Sequence, residues 1–207
     1  MSLIHVSQHP LVQHKLTVLR DVNTDHRKFR ELLRELALLL CYEATEDLKL
    51  ITRTVITPMG EAQGQEAQQT IGVVPILRAG LGLLDGVLQL LPSVQVWHIG
   101  LYRDEQTLKP VQYYNRLPAV PTVEICLVLD TMLATAGSAI ATMDILKAWG
   151  VPQIKFLGVI AAPEGIEALS TAHPDVPIHI AAVDERLNEI GFIVPGLGDA
   201  GDRQFGT

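Results

Sequence analysis

The run Ile125-Cys126-Leu127-Val128-Leu129 is apolar without alternation, and it stops at Asp130. Such a run reads as a strand covered on both faces, which calls for a parallel sheet with helices on either side. After it come TMLATAGSA, small and hydroxylated, and then Ile140, Met143, Ile145, Leu146 and Trp149 at spacings compatible with one helix face. A strand tip, a tight loop and a helix start are the parts of an anion site, because free N–H groups and the helix dipole both favour negative charge there. Thr131, Thr135 and Ser138 add hydroxyl donors, and Gly137 permits a turn or a close approach. Asp130 stands at the carboxyl end of a strand, where open α/β sheets bind their ligands. The stretch can hold a phosphate beside a hydroxyl-rich group, or it can be ordinary α/β packing; its residues alone leave both open. It is neither a Walker loop, since no Gly-Lys-Ser/Thr follows, nor a GxGxxG fingerprint.

A chain of 207 residues, 48% hydrophobic, is enough for one compact domain with a full core. The net charge of -7 gives no bulk attraction to nucleic acid or to an anionic membrane. Cys41 and Cys126 sit in apolar settings and read as small buried hydrophobes. The N-terminal MSLIHVSQHP has no long apolar core, and acidic residues, Pro or Gly interrupt every apolar run. The expected compartment is the cytoplasm.

Strand and helix alternate along the chain, so a mostly parallel, doubly covered sheet is expected. Residues 11–19 form a first helix, and Thr24 is placed to cap a second, over 25–48. The stripe of that second helix, Phe29, Leu32, Leu33, Leu36, Leu39 and Leu40, is broad enough to pack on another subunit as well as on its own sheet. Strands follow at 50–57, 71–77, 94–100, 154–161 and 176–183, with helices over 81–91 and 165–171. The polar stretch 58–69 reads as an exposed loop, and 102–116 as a β-ribbon or flap. The tail from Asp184 is rich in glycine and poor in large apolar residues, so it reads as ligand-binding backbone.

Arg78 follows a strand and could grip phosphate by its planar fork, or pair with a surface carboxylate. Arg103 lies in the flap with Asp104, Glu105 and Lys109; it could close over an anion, or belong to a solvated loop. Asp130 could bind ribose hydroxyls or metal-bound water, or cap a helix. Asp199, Asp202 and Arg203 could serve a ligand or form a local ion-pair network. Tyr113 and Tyr114 read as packing beneath the flap. The seven histidines form no HExxH pattern, and no CxxC or GxSxG occurs.

Five blocks resemble the uracil phosphoribosyltransferase family: VLDTMLATAGSA at 128–139, PILRAGLGLLDG at 75–86, GLYRDEQTLKPVQYYNRLP at 100–118, YEA at 42–44 and GFIVPGLGDAGDRQFGT at 191–207. Together they span nearly the whole chain, and the last separates uracil enzymes from other phosphoribosyltransferases. The resemblance implies an α/β fold of the type I phosphoribosyltransferase class: a mostly parallel sheet flanked by helices, a core over about 20–183, a flap over about 101–118 and a C-terminal hood including 184–207. It implies pyrimidine salvage: 5-phospho-α-D-ribose 1-diphosphate and uracil give UMP and diphosphate, with Mg2+ travelling on the diphosphate through water rather than on protein ligands. Members are commonly homodimers or higher homo-oligomers, and GTP activates some bacterial ones. The donor would meet Arg78, Arg103, Asp199 and the loop Asp130, Thr131, Met132, Leu133, Ala134, Thr135, Ala136, Gly137 and Ser138. Uracil would meet Ile193, Gly198, Asp199 and Ala200, largely through backbone groups. Arg78, Arg103, Asp130 and Asp199 would be the catalytic set.

Two positions depart from the family pattern: Thr131 where Pro is expected in many members, and Ala136 where Gly is common. Alanine at 136 is expected to confine the backbone to less unusual angles. A purine or orotate enzyme is the nearest rival, and the tail block argues against it. An RNA-binding regulator should show a basic face, which a net charge of -7 does not suggest. A purely structural dimer module would leave Arg78, Arg103 and Asp199 without a role.

Overall fold

The computed structural model describes residues 3–103 and 110–207, with the backbone alone over 101–103 and 110–111. Its elements run β1 (Ile4–Val6), α1 (Pro10–Arg20), α2 (His26–Ala44), β2 (Leu50–Thr57), β3 (Gly60–Ala67), β4 (Ile71–Pro75), α3 (Leu81–Leu90), β5 (Gln95–Val96), β6 (Ile99–Arg103) and β7 (Pro110–Asn115). They continue with β8 (Ile125–Leu129), β9 (Met132–Leu133), α4 (Gly137–Trp149), β10 (Gln153–Ala161), α5 (Pro163–Ala172), β11 (Ile178–Val183), β12 (Arg186–Leu187), β13 (Ile193–Val194) and α6 (Ala200–Phe205).

The main sheet has the order β1-β11-β10-β8-β4-β5, with β9 beside β10, and every pairing in it is parallel. All five residues of β8 are buried, as a doubly covered strand requires. One face carries α1, α2 and α3, with Phe29, Leu33, Leu36, Leu127 and Leu129 in one cluster. The other carries α4 and α5, with Val128, Met143, Leu146, Phe156 and Leu169 in a second. The chain leaves β4 for the edge strand β5, then returns on the other side of β4 as β8. The strand order therefore reverses between β4 and β8, and in an open α/β sheet a crevice forms beyond the carboxyl ends at that point.

Several expectations change. The second helix is capped by Asp25, which accepts from the Lys28 N–H, and it ends at Ala44. Thr24 instead donates to the Val18 carbonyl. The α2 stripe is buried within its own chain: Phe29, Leu33, Leu36 and Ala37 are 0% exposed. Leu39 of the same stripe is only partly buried, and Tyr42, further along the helix, is 69% exposed. The polar stretch after Pro58 is not a loop, because β3 pairs antiparallel with β2 in register from Thr57–Gly60 to Leu50–Ala67. The segment over 94–100 is two strands: β5 pairs with β4, while β6 leaves the sheet to pair with β7. That hairpin is the expected ribbon; its tip, with Asp104, Glu105 and Lys109, lies outside the described residues. Tyr113 and Tyr114, on β7 itself, are 62% and 44% exposed, and the Tyr113 ring covers Gly100 of β6. Cys41 and Cys126 are buried as expected, and burial pushes both thiols up to about 12.

Candidate active site

Parallel pairing puts the ends of β4, β8, β10 and β11 on one edge of the sheet. Arg78 follows β4 there, and Asp130 follows β8. The two tips are tied together, since the Ile76 N–H donates to the Leu129 carbonyl at 2.8 Å. Gly80 is needed for this approach, because a methyl group there would lie 2.4 Å from the Leu129 carbonyl oxygen. The Leu77–Arg78 peptide is cis. Ile76 also bridges to Ile99, so the β6–β7 ribbon starts beside the Arg78 loop.

Asp130 is fixed from three sides. Its N–H donates to the Leu157 carbonyl on β10 at 3.0 Å. Its carboxylate accepts from the Thr131 N–H at 2.8 Å, and the Met132 N–H also favours the ionised form. Loss of water around the group outweighs both donors and pushes its pKa up to about 7. Asp130 does not cap α4; the cap position is Ala136, with no side-chain hydrogen bond.

The loop is tighter than the sequence suggests. Met132 and Leu133 return to the sheet as β9, opposite Ile160 and Ala161. Thr131 and Leu133 are buried, so their side chains face protein. The Thr131 hydroxyl has no hydrogen-bond partner. Its amide does have a task, and a proline at 131 would lack that N–H. Of Ala134 to Ser138, the hydroxyl-bearing Thr135 and Ser138 are exposed, while Ala136 is buried. Ala136 has φ +61, a left-handed conformation; the expectation of ordinary angles is wrong. The turn into α4 imposes that conformation, and alanine tolerates it at a cost of about 1 kcal/mol relative to glycine.

The C-terminal tail folds back over this edge. A methyl group on Gly191 would lie 3.8 Å from Thr135 Cγ2, and one on Gly201 would lie 3.9 Å from Arg78 Nη2. The tail thus reaches both the loop after β8 and the loop after β4. Arg78 is 65% exposed in its side chain and 3.8 Å from Asp202, itself half exposed, so this pair leaves the guanidinium free to be recruited by an anion. Asp199 caps α6 by accepting from the Asp202 N–H, and it is exposed. Gly198, with φ +77, is exposed beside it. Ile193, Leu197 and Ala200 are buried in the core cluster, so the tail carries more core than its composition suggests. Ile193 and Ala200 can therefore offer a ligand only backbone groups. Arg103 ends β6; its side chain lies outside the described residues.

Arg203 takes no part in a local ion-pair network. It lies 4.6 Å over the Phe29 ring and donates to the carbonyls of Leu197 and Asp21 at 2.9 and 2.6 Å. Gln204, buried, presents its amide nitrogen to the Ala79 carbonyl and its oxygen to the Gly82 N–H, each at 3.2 Å. Arg30 donates to the Gln204 carbonyl at 2.8 Å. Arg20 and Asp184 hold Gly196. The sequence reading missed all of these except Arg203, because each contact apart from Asp184 to Gly196 is made across more than 100 positions.

Among the described residues no three His, Cys, Asp or Glu side chains converge on a metal-sized site. No helix of the described residues is long and apolar enough to cross a membrane. The residues that meet at this edge can hold an anion against Arg78 and the α4 N-terminus, and a diol against Asp130. A family model described as uracil phosphoribosyltransferase matches residues 6–207. Uracil phosphoribosyltransferase of Roseiflexus sp. (strain RS-1) is 61% identical over 100% of both chains, and that of Geobacillus kaustophilus (strain HTA426) is 55% identical over 100% of both. The solved structure of the AQ2163 protein from Aquifex aeolicus aligns with a TM-score of 0.91 at 39% identity, covering 98% of this chain and 97% of that one. With this sheet order, this tip and these likenesses over its full length, the chain belongs to the uracil phosphoribosyltransferase family.

Proposed function

We propose that the edge between β4 and β8 is where uracil and 5-phospho-α-D-ribose 1-diphosphate combine to give UMP and diphosphate. The observation that carries this placement is the reach of the tail, whose Gly191 lies beside Thr135 and whose Asp202 lies 3.8 Å from Arg78. The loop from Ala134 to Ser138 and the start of α4 suit the 5′-phosphate. Asp130 suits the ribose hydroxyls. Its raised pKa lets it stay protonated or ionise near neutral pH, and in either state it accepts from a diol. Breaking the C1′–O bond leaves negative charge on the diphosphate and oxocarbenium character on the ribose. Arg78, and Arg103 from the flap, are the cations we assign to that leaving group. Uracil N1 attacks from the opposite face, against the backbone of Ile193 and of Gly198 to Ala200. Holding two substrates aligned can supply roughly 7–11 kcal/mol in well-oriented systems. Cytosine reverses the donor and acceptor pattern of the pyrimidine edge and would leave a buried group unpaired, costing about 1–3 kcal/mol.

Magnesium suits this edge as a companion of the substrate. Asp199 and Asp202 present exposed carboxylates beside Arg78, oxygen donors of the type the ion accepts through water. When bound, the ion would offset charge on the diphosphate. The same reading assigns a core over about 20–183, a hood from 184 and a cytoplasmic enzyme, with GTP as a candidate activator. It also assigns a homodimer or larger homo-oligomer. The support is the β2–β3 hairpin, whose Leu50, Ile51, Val55, Ile56 and Met59 are all exposed, since an isolated two-stranded ribbon is marginal in water.

Labelled uracil with the donor and Mg2+ tests the assignment directly. UMP should form, and cytosine should not replace uracil. No UMP from about pH 6 to 9, a span wide enough for any acid or base near neutrality, would end it.

A further inference from the structure

The reading above makes no use of a buried ion pair at the end of β11. Asp184 follows that strand with only 4% of its side chain exposed, and it meets Arg20, the last residue of α1. Arg20 Nη2 donates to Asp184 Oδ1, and Nη1 donates to Oδ2 at 2.7 Å. The same Nη1 also donates to the Gly196 carbonyl at 2.7 Å. Asp184 Oδ2 in turn accepts from the Gly196 N–H at 2.8 Å. Both backbone groups of one tail residue are thus held by one ion pair. Gly196 has φ +66, and a methyl group there would lie 2.1 Å from the Ile193 carbonyl oxygen, so the residue cannot change without moving its neighbours. The next peptide is gripped as well, by Arg203 at the Leu197 carbonyl.

A buried ion pair is a poor way to gain stability, because desolvation of both charges offsets their attraction. A well-packed apolar pair would serve the core equally. What an apolar pair cannot do is bind an N–H and a carbonyl of the same residue in opposite directions. We infer that Arg20 and Asp184 are positioning residues that set the register of segment 196–200, and through it the fit of the pyrimidine. The inference rests on the reading that uracil lies against Gly198 to Ala200. Neither side chain touches substrate; each acts through the peptide groups of Gly196.

The double variant Arg20→Met/Asp184→Leu removes both charges at similar volume. It leaves the Gly196 N–H and carbonyl without these partners, so Tm should fall by several degrees, while KM for uracil should rise about tenfold or more and KM for the donor should change less than about twofold. A purely structural role would lower Tm and leave the ratio of the two KM values alone. If the double variant does not fold, Arg20→Lys is read by the same ratio, since it keeps the charge but loses the planar fork. A uracil KM within about twofold of the parent's in a folded variant overturns the inference. Amide hydrogen exchange of the parent protein separates this from the underlying reading. UMP should slow exchange over 196–201. No slowing means that the base does not sit there and sinks both claims; slowing together with an unchanged uracil KM in the variant sinks the positioning role alone.

Discussion

The loop after β8 and the C-terminal tail meet at the same sheet edge, but different forces hold them there. The loop is held by its own neighbours: Asp130 to Leu157, Thr131 to Val159 and Ile160, Met132 and Leu133 to β10. Those are backbone contacts that the parallel sheet makes in any case. The tail has two residues of strand on either side of a turn and a six-residue helix. It is held by side chains: Arg20 and Arg30 reach it from far away, and Asp184 and Arg203 grip it from within or beside it. A region built on backbone pairing should tolerate side-chain changes in stability while losing chemistry. A region built on latches should lose both when one latch is cut.

The largest contrast is expected at Asp130. Asp130→Asn keeps the oxygen that meets the Thr131 N–H, so the loop should fold, while kcat/KM for the donor should fall on the order of 100-fold or more. Stability should move the other way. The folded carboxyl has its pKa raised to about 7 from an ordinary value of 3.8, so between those limits the unfolded chain is ionised while the folded one holds its proton. Unfolding then releases a proton, and this group's contribution weakens as pH rises through that window. The variant should therefore be more stable than the parent at pH 8, by on the order of 2 kcal/mol, and equal to it near pH 3. Denaturant melts at the two pH values check this; a variant that is less stable at pH 8 would place the carboxylate in a favourable, solvated setting.

Arg203→Ala tests the other half. It removes charged donors to the Leu197 and Asp21 carbonyls and the guanidinium over Phe29. A loss of about 2–4 kcal/mol is expected, with a raised uracil KM in whatever remains folded. Unchanged stability would mean that the tail is held by its apolar residues alone. Ala136→Gly is the smallest probe. It relaxes the left-handed residue at the α4 cap, φ +61, and should change stability by less than about 1 kcal/mol, upward if relief of strain exceeds the extra chain entropy. A large loss would show that the buried methyl of Ala136 is needed more than the angle is resisted.

The loop was legible because its signals are local. The unbroken run at 125–129 predicts the doubly covered strand, the aspartate marks its end, and the small residues mark the turn. The same local reading failed on β3, since GEAQGQEA has no apolar alternation and becomes a strand only by pairing with β2. On the α2 stripe it stopped short: breadth signals burial but does not say against which chain. At Ala136 it judged a residue by its preference, where the surrounding turn dictated the angle.

By itself the sequence determined the parallel sheet, the turn after its central strand and, through five blocks of resemblance, the family. Hydrophobic period and turn chemistry act between near neighbours, so a linear reading captures them. Only the tertiary structure decided how the tail reaches Thr135 and Arg78, which residues clamp it, and that Ile193 and Ala200 face the core. Those outcomes depend on hydrogen bonds closed across more than 160 residues, such as Arg20 to Gly196, and no spacing in the chain encodes which distant carbonyl an arginine will meet.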